Sequence, residues 1–239
     1  MAAMSGPLLR AEGLTRDYGG LRAVDHVDFT LQEGEIRALI GPNGAGKTTF
    51  VGLISGRIRP SAGRVRFMGR DVTALPAHRR MRLGMAYTFQ ITSIFANLTV
   101  WDNVALAAQA RRGAQGLAEA TDAALARVGL LDRAGQVAGD LAYGHQRLLE
   151  LAMGIAQAPR LLILDEPTQG LSDPEIRDFV ALIRDIARGA TVLLIEHNMD
   201  VVMQLATRIT VLNFGAILAE GAPEEIRADA RVRAAYLGG

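Results

Sequence analysis

An α/β fold built around a mostly parallel sheet is the prediction, and three observations carry it. The stretch "EIRALIGPNGAGKTTFVGLISG" (35–56) reads as a strand, a glycine-rich turn and then a helix. "RLLILDEP" (160–167) and "TVLLIEHN" (191–198) are short apolar runs ending in polar residues, the pattern of strands buried on both faces. Between them, "DPEIRDFVALIRDIAR" (173–188) has helical spacing, with Ile176, Phe179, Ile183 and Ile186 on one face. Strands alternating with helices make a parallel sheet whose ligand is expected at the carboxyl ends of the strands.

Two stretches depart from that alternation. The beginning, "LLRAEGLTRDY" through "RAVDHVDFTLQEG" to "GRVRFMG", is rich in strand and turn signals and predicts an antiparallel sheet beside the core. The middle, about 99–158, is alanine-rich and helical, and reads as a subdomain. Within it, "LAYGHQRLLELAMGIA" (141–156) is an amphipathic helix expected to turn Leu148, Leu151 and Ile155 inward. "HRRMR" (78–82) reads as a solvated helix face, with contact to a partner or to lipid headgroups as the alternative. His26 and His78 read as surface residues.

Bulk composition sets limits. At 239 residues, 49% hydrophobic and 21% charged, the chain has room for one large domain, or one with a small appended subdomain. A net charge of +1 makes no case for nucleic acid as the main partner. Zero cysteines exclude disulfides and thiolate metal sites, and fit a reducing compartment. The start, "MAAMSGPLLRAEG", lacks the basic segment and apolar core of a signal peptide. No apolar run approaches the roughly 20 residues that span a bilayer. The expectation is a soluble or peripheral chain; at a membrane, other chains would do the spanning.

Of 26 basic residues, 25 are arginine and one is lysine, Lys47. It stands in Gly41-Pro42-Asn43-Gly44-Ala45-Gly46-Lys47-Thr48-Thr49, a phosphate-binding loop pattern between a strand and a helix. Glycines let successive backbone N–H groups turn inward on phosphate oxygens, and the following helix directs its positive end at them. A compact ammonium fits among β- and γ-phosphate oxygens, where a planar guanidinium needs a wider, fork-shaped site. The Thr48 hydroxyl suits Mg²⁺.

Other polar groups fall at the same expected sheet edge. Asp165 and Glu166 close an apolar run and leave the strand in different directions, so Asp165 suits the Mg²⁺ shell and Glu166 suits polarising a water for attack on γ-phosphate. His197 follows another buried run and is placed to contact γ-phosphate and hold that water. Gln90, after "MAYTF", is placed to bond the metal or the water. Tyr18 suits stacking on adenine, with hairpin packing as the alternative. Gly144, preceding the amphipathic helix within 141–156, supplies a second anion-binding helix terminus, beyond what one nucleotide requires.

Together these residues resemble an ATP-binding cassette (ABC) ATPase, and the likeness covers essentially the whole chain in the family's order. Tyr18 matches the aromatic loop, Gly41 to Thr48 the Walker A loop, and Gln90 the Q-loop. Leu141, Ala142, Tyr143, Gly144 and His145 stand at the signature, Leu161 to Glu166 at Walker B, and His197 at the switch histidine. The resemblance implies a P-loop NTPase core with an antiparallel β subdomain and a helical signature subdomain, all one nucleotide-binding domain over 1–239. It implies ATP and Mg²⁺, the latter held by Thr48, Gln90 and Asp165, with Lys47, Gln90, Glu166 and His197 as the catalytic set. It implies a second cassette, identical or paralogous, whose signature caps the γ-phosphate in trans. It also implies transmembrane permease subunits, whose coupling helix docks near Ile94, Phe95, Leu98 and Trp101, and a peripheral location on the cytoplasmic face of the cell membrane.

"RDVTALPAHRRMRLGMAYTFQ", "EHNMDVVMQLATRITVLNFGAILAEGAPEEI" and "RVRAAYLGG" are similar to the ATPases of branched-chain amino acid importers; "LELAM" and "DEPTQGLSD" lean toward urea and short-amide importers. A cassette without transport, or a degenerate regulatory module, are the competing classes. The signature departs from the general pattern: Ala142 replaces serine, Tyr143 a glycine and His145 a glutamine. Losing the serine hydroxyl removes a charge-assisted hydrogen bond of about 1.5–3 kcal/mol, which predicts an active cassette with a weaker trans contact, His145 donating instead. Ser172 stands where the D-loop usually has Asp.

Overall fold

The N-terminal stretch forms the antiparallel sheet expected of it. In the computed structural model, which describes residues 6–88, 93–112 and 116–237, β1 (Leu9–Tyr18) and β2 (Leu21–Leu31) make a hairpin. β3 (Ile36–Ile40), α1 (Lys47–Ser55), β4 (Ala62–Phe67), β5 (Arg70–Asp71) and α2 (Ala77–Arg82) follow. The sheet order is β2-β1-β4-β5, with Leu9 opposite Phe67 and Ala11 opposite Val65, all buried. Alternating apolar residues line its inner face.

α2 corrects the expectation of a solvated face. His78, Arg79 and Arg82 are exposed, but Arg80 is 1% exposed. Its Nη1 donates to the carbonyls of Leu53 (2.9 Å) and Ile54 (2.7 Å), its Nε to Leu75 O and its Nη2 to Thr73 O. The last carbonyls of a helix have no intrahelical partner, and a guanidinium with five donors satisfies those of α1 while complementing the helix dipole. Burial pushes the Arg80 pKa down to about 10.

Residues 81–190 form a compact unit, and residues 1–80 with 191–239 another. The first of these contains β6 (Met85–Thr88), α3 (Val100–Arg112), α4 (Leu117–Arg127), α5 (Tyr143–Ala156), β7 (Leu161–Asp165) and α6 (Asp173–Ile186). β6 and β7 pair in parallel, Met85 with Leu161 through Thr88 with Leu164. On α6, Phe179, Ile183 and Ile186 are buried and Ile176 partly so, as the spacing predicts. On α5 the expected inner face is rotated. Leu151 is buried, whereas Leu148 and Ile155 are only half-buried, and Arg147, Glu150 and Gly154 lie inside. Hydropathy placed Leu148 and Ile155 inside because it counts a charged side chain as outward; an ion pair within the unit overrides that rule.

The other unit closes with β8 (Thr191–Ile195), α7 (Met199–Leu205), β9 (Arg208–Asn213), β10 (Ala216–Gly221), α8 (Pro223–Ala228) and α9 (Ala230–Leu237). β3 lies between β8 and β9, parallel to both, and all five of its residues are buried. β10 pairs antiparallel with β9. Ile40, Val202, Val211, Ile226 and Val232 share one core cluster, so the C-terminal helices pack beneath the strand that delivers the glycine-rich loop. Among the described residues, no helix is long and apolar enough to cross a membrane.

Candidate active site

The loop from Gly41 to Thr49 leaves the buried end of β3 and enters α1 at Gly46, whose φ of 99° only glycine adopts readily. Space demands glycine as well. A Cβ on Gly46 would stand 2.3 Å from the Ala23 carbonyl oxygen, and one on Gly41 would stand 2.2 Å from that of Leu212. The loop is braced from behind: Gly215 N–H donates to Ala45 O (3.0 Å) and Asp25 N–H to Gly215 O (2.8 Å). Lys47 is 7% exposed, and its Nζ donates to Gly41 O (2.6 Å) and Pro42 O (3.0 Å). The ammonium is thus folded across its own loop, among carbonyl oxygens that an anion's oxygens can replace. Asn43, Gly44 and Thr48 are exposed, Pro42 and Thr49 half-buried, and Ala45 buried.

Tyr18 ends β1 and is 41% exposed, with the Arg16 guanidinium 4.4 Å from its ring centre. A cation stacked on the ring leaves it a platform at the sheet edge. His197 is exposed just beyond β8. The buried Glu196 carboxylate accepts the N–H groups of His197 (2.8 Å) and Asn198 (3.0 Å), and Asn198 caps α7 through the N–H groups of Asp200 and Val201. That turn is locked by hydrogen bonds on both sides of the histidine.

In the unit of 81–190, Asp165 is 4% exposed at the end of β7 and accepts a short hydrogen bond from the Tyr87 hydroxyl. Glu166 follows with φ 48°, a left-handed conformation rare for a non-glycine residue. Strain of this kind clusters at working sites. Gln90 lies outside the described residues.

The signature residues gather around the start of α5. Ala142 is the N-cap, Tyr143 opens the helix, and both are exposed; Leu141 is buried, and Gly144 and His145 are half-buried. A Cβ on Gly144 would lie 2.2 Å from Glu175 Oε1, so the turn sits against the start of α6. There the Glu175 carboxylate accepts Ser172 N–H (2.8 Å) and Ser172 Oγ–H (2.6 Å). The hydroxyl first, and then the amide, hold Glu175 below the ordinary carboxyl range. Ser172 therefore acts as a helix cap, and the S-x-x-E spacing in "SDPE" is the signal for it.

Sequence reasoning missed several supporting residues. Tyr87, on β6, steadies Asp165. Tyr236, on the C-terminal helix, has its hydroxyl faced by the Gly41 N–H, although burial pushes its pKa up to about 12. Arg147 and Glu150 form a buried pair beneath the signature turn, 3.0 Å apart; burial raises the Glu150 carboxyl against the pull of Ser93 N–H and Arg147. Single residues of ordinary type carry no sequence signal for these roles.

Residues 24–169 match the ABC transporter family, and residues 216–239 match a family described as branched-chain amino acid ATP-binding cassette transporter. The chain is 42% identical to the high-affinity branched-chain amino acid transport ATP-binding protein LivG of Salmonella typhimurium, over 98% of this chain and 99% of that protein. It is 40% identical to the corresponding protein BraF of Pseudomonas aeruginosa, with the same coverage. Among solved structures, a nucleotide-free ATP-binding cassette from an ABC transporter aligns with a TM-score of 0.87 at 26% identity, covering 98% of this chain and 100% of that one. A cassette solved in its ADP conformation aligns with a TM-score of 0.87 at 26% identity, covering 98% and 99%.

Proposed function

Because this chain belongs to the ABC transporter family, we propose that it hydrolyses ATP to energise an importer of branched-chain or other hydrophobic amino acids. The observation that carries the chemistry is the glycine-rich loop with its buried ammonium: Lys47 Nζ rests on Gly41 O and Pro42 O, a cradle whose close approaches exclude any side chain at positions 41 and 46. The amino-acid cargo is supported by the likeness to LivG and BraF along the whole chain.

In this reading the loop amides and Lys47 bind the β- and γ-phosphates, and Tyr18 stacks on the adenine. Glu166 takes the proton of the attacking water, while His197 and Gln90 hold that water and the γ-phosphate in line. The Asp165 carboxylate and the Thr48 hydroxyl are hard oxygen donors that fit Mg²⁺, and Gln90 completes the set. When bound, that ion neutralises phosphate charge; Tyr87 keeps the Asp165 carboxylate oriented for it. Leu141 to His145 present the start of α5 to a nucleotide on a second, identical or paralogous cassette. Permease subunits receive the motion, which places the chain peripherally on the cytoplasmic face of the cell membrane.

The test is leucine uptake into proteoliposomes containing this chain and the permease subunits that co-purify with it. MgATP-dependent uptake that Lys47→Ala abolishes is the expected result. ATP hydrolysis with no uptake of any branched-chain amino acid overturns the cargo assignment, and an absence of hydrolysis overturns the ATPase itself.

A further inference from the structure

One face of α5 carries an unbroken line of polar contacts. The Tyr143 hydroxyl accepts from Arg147 Nη2 (2.9 Å) and Nε (3.2 Å), and the guanidinium also lies 5.4 Å from the Tyr143 ring centre. Arg147 Nη1 donates to Glu150 Oε2 (3.0 Å), and Glu150 Oε1 accepts the Ser93 N–H (2.5 Å). Arg147 and Glu150 are 4% and 6% exposed. At the upper end, Tyr143 occupies the signature turn, with its ring so close to Gly170 that a Cβ there would lie 2.8 Å from it. At the lower end, Ser93 and Glu150 help line a groove of about 310 Å³ with Tyr87, Phe95, Leu106 and Met153.

A buried ion pair is a poor way to gain stability, because desolvation cancels most of the attraction and apolar residues of similar volume do as well. What such a pair supplies is direction. Each group here has a partner on either side, so a rotation of Tyr143 moves the guanidinium, the carboxylate and then a backbone amide. Helical spacing of four and three residues sets Tyr143, Arg147 and Glu150 on one face, within reach of one another. The signature departure at Tyr143 thereby acquires a use: glycine there has no hydroxyl to start the line.

We propose that Tyr143, Arg147 and Glu150 are positioning residues that couple nucleotide capture at the signature turn to the backbone at Ser93, three residues beyond Gln90 and on the rim of the groove. This rests on the cassette reading above, in which the turn closes on a partner's nucleotide and the groove faces the permease. Coupling needs an element whose arrangement both sites bias, and the Arg147–Glu150 pair is the one that touches both the signature tyrosine and the Ser93 amide.

Amide hydrogen exchange of the peptide containing Ser93 tests this in the full chain carrying Glu166→Gln, where MgATP accumulates the closed dimer. MgATP is expected to slow the Ser93 amide about tenfold. Arg147→Met with Glu150→Leu replaces the pair by apolar groups; MgATP-dependent dimerisation persists, measured by light scattering, and the slowing disappears. Glu150→Gln, nearly isosteric, retains an acceptor for Ser93 but not the charge, and reduces the slowing if the double variant does not fold. Slowing that survives unchanged in a folded, dimerising variant overturns the relay. If MgATP fails to dimerise the Glu166→Gln chain itself, the cassette reading falls first and the relay with it.

Discussion

The phosphate loop and the signature helix both bury charge, and they do so by opposite means. At the loop, one ammonium rests on two backbone carbonyls, and the walls are backbone atoms that tolerate no Cβ. At the helix, a guanidinium and a carboxylate hold each other and are steadied by a tyrosine and an amide. The loop's ammonium rests on carbonyl oxygens of its own backbone, whereas the helix's guanidinium rests on a carboxylate one turn further along. Neutral carbonyls are partners that an anion's oxygens can displace, whereas a buried ion pair resists being taken apart.

The largest effect that sharpens this contrast is at Lys47. Lys47→Met should lower phosphate release by about 10²–10³-fold, the scale of removing one preorganised electrostatic donor, and Lys47→Arg should fall nearly as far, because a planar fork does not fit the loop. An arginine variant with near-normal turnover would break the comparison at its first term. Next is the helix pair. Arg147→Met strands the Glu150 carboxylate and should cost about 3–5 kcal/mol in urea unfolding, while Arg147→Met with Glu150→Leu should recover most of it.

Arg80 belongs to the loop side, since it holds the far end of α1. Arg80→Met should cost about 2–3 kcal/mol by removing charge-assisted bonds to the Leu53 and Ile54 carbonyls, and ATP affinity should weaken in step as α1 frays. The smallest effect is at Ser172. Its hydroxyl depresses the Glu175 pKa below the ordinary 4.5, so the contribution of that contact is present at neutral pH and lost as pH falls through the lowered value. Ser172→Ala should lower the urea midpoint slightly at pH 7, and the difference from the parent chain should vanish in acid. A difference independent of pH would assign the effect to the hydroxyl's other contacts.

Legibility followed the same division. "GPNGAGKTT" is readable because its function is a backbone path, and a backbone path demands glycines at fixed spacing. The runs that became β3, β7 and β8 are readable because a strand buried on both faces must be apolar throughout. The buried face of α5 and the burial of Arg80 are not legible in the sequence, for one reason. A charged side chain is inside only if partners exist there, and those partners are distant in sequence: the Leu53 and Ile54 carbonyls for Arg80, and the Ser93 amide for Glu150. The capping role of Ser172 is legible in the S-x-x-E spacing of "SDPE".

By itself, then, the sequence determined the α/β alternation, the glycine-rich loop between strand and helix and the order of the polar groups at strand ends, all of which depend on local periodicity and backbone conformation. Only the tertiary structure decided which charges are buried, that Glu166 sits in a left-handed conformation, that Tyr87 orients Asp165 and that Tyr143 leads through a buried pair to Ser93. Those depend on where distant segments bring donors and acceptors together, and burial is affordable to a charge only where such partners arrive.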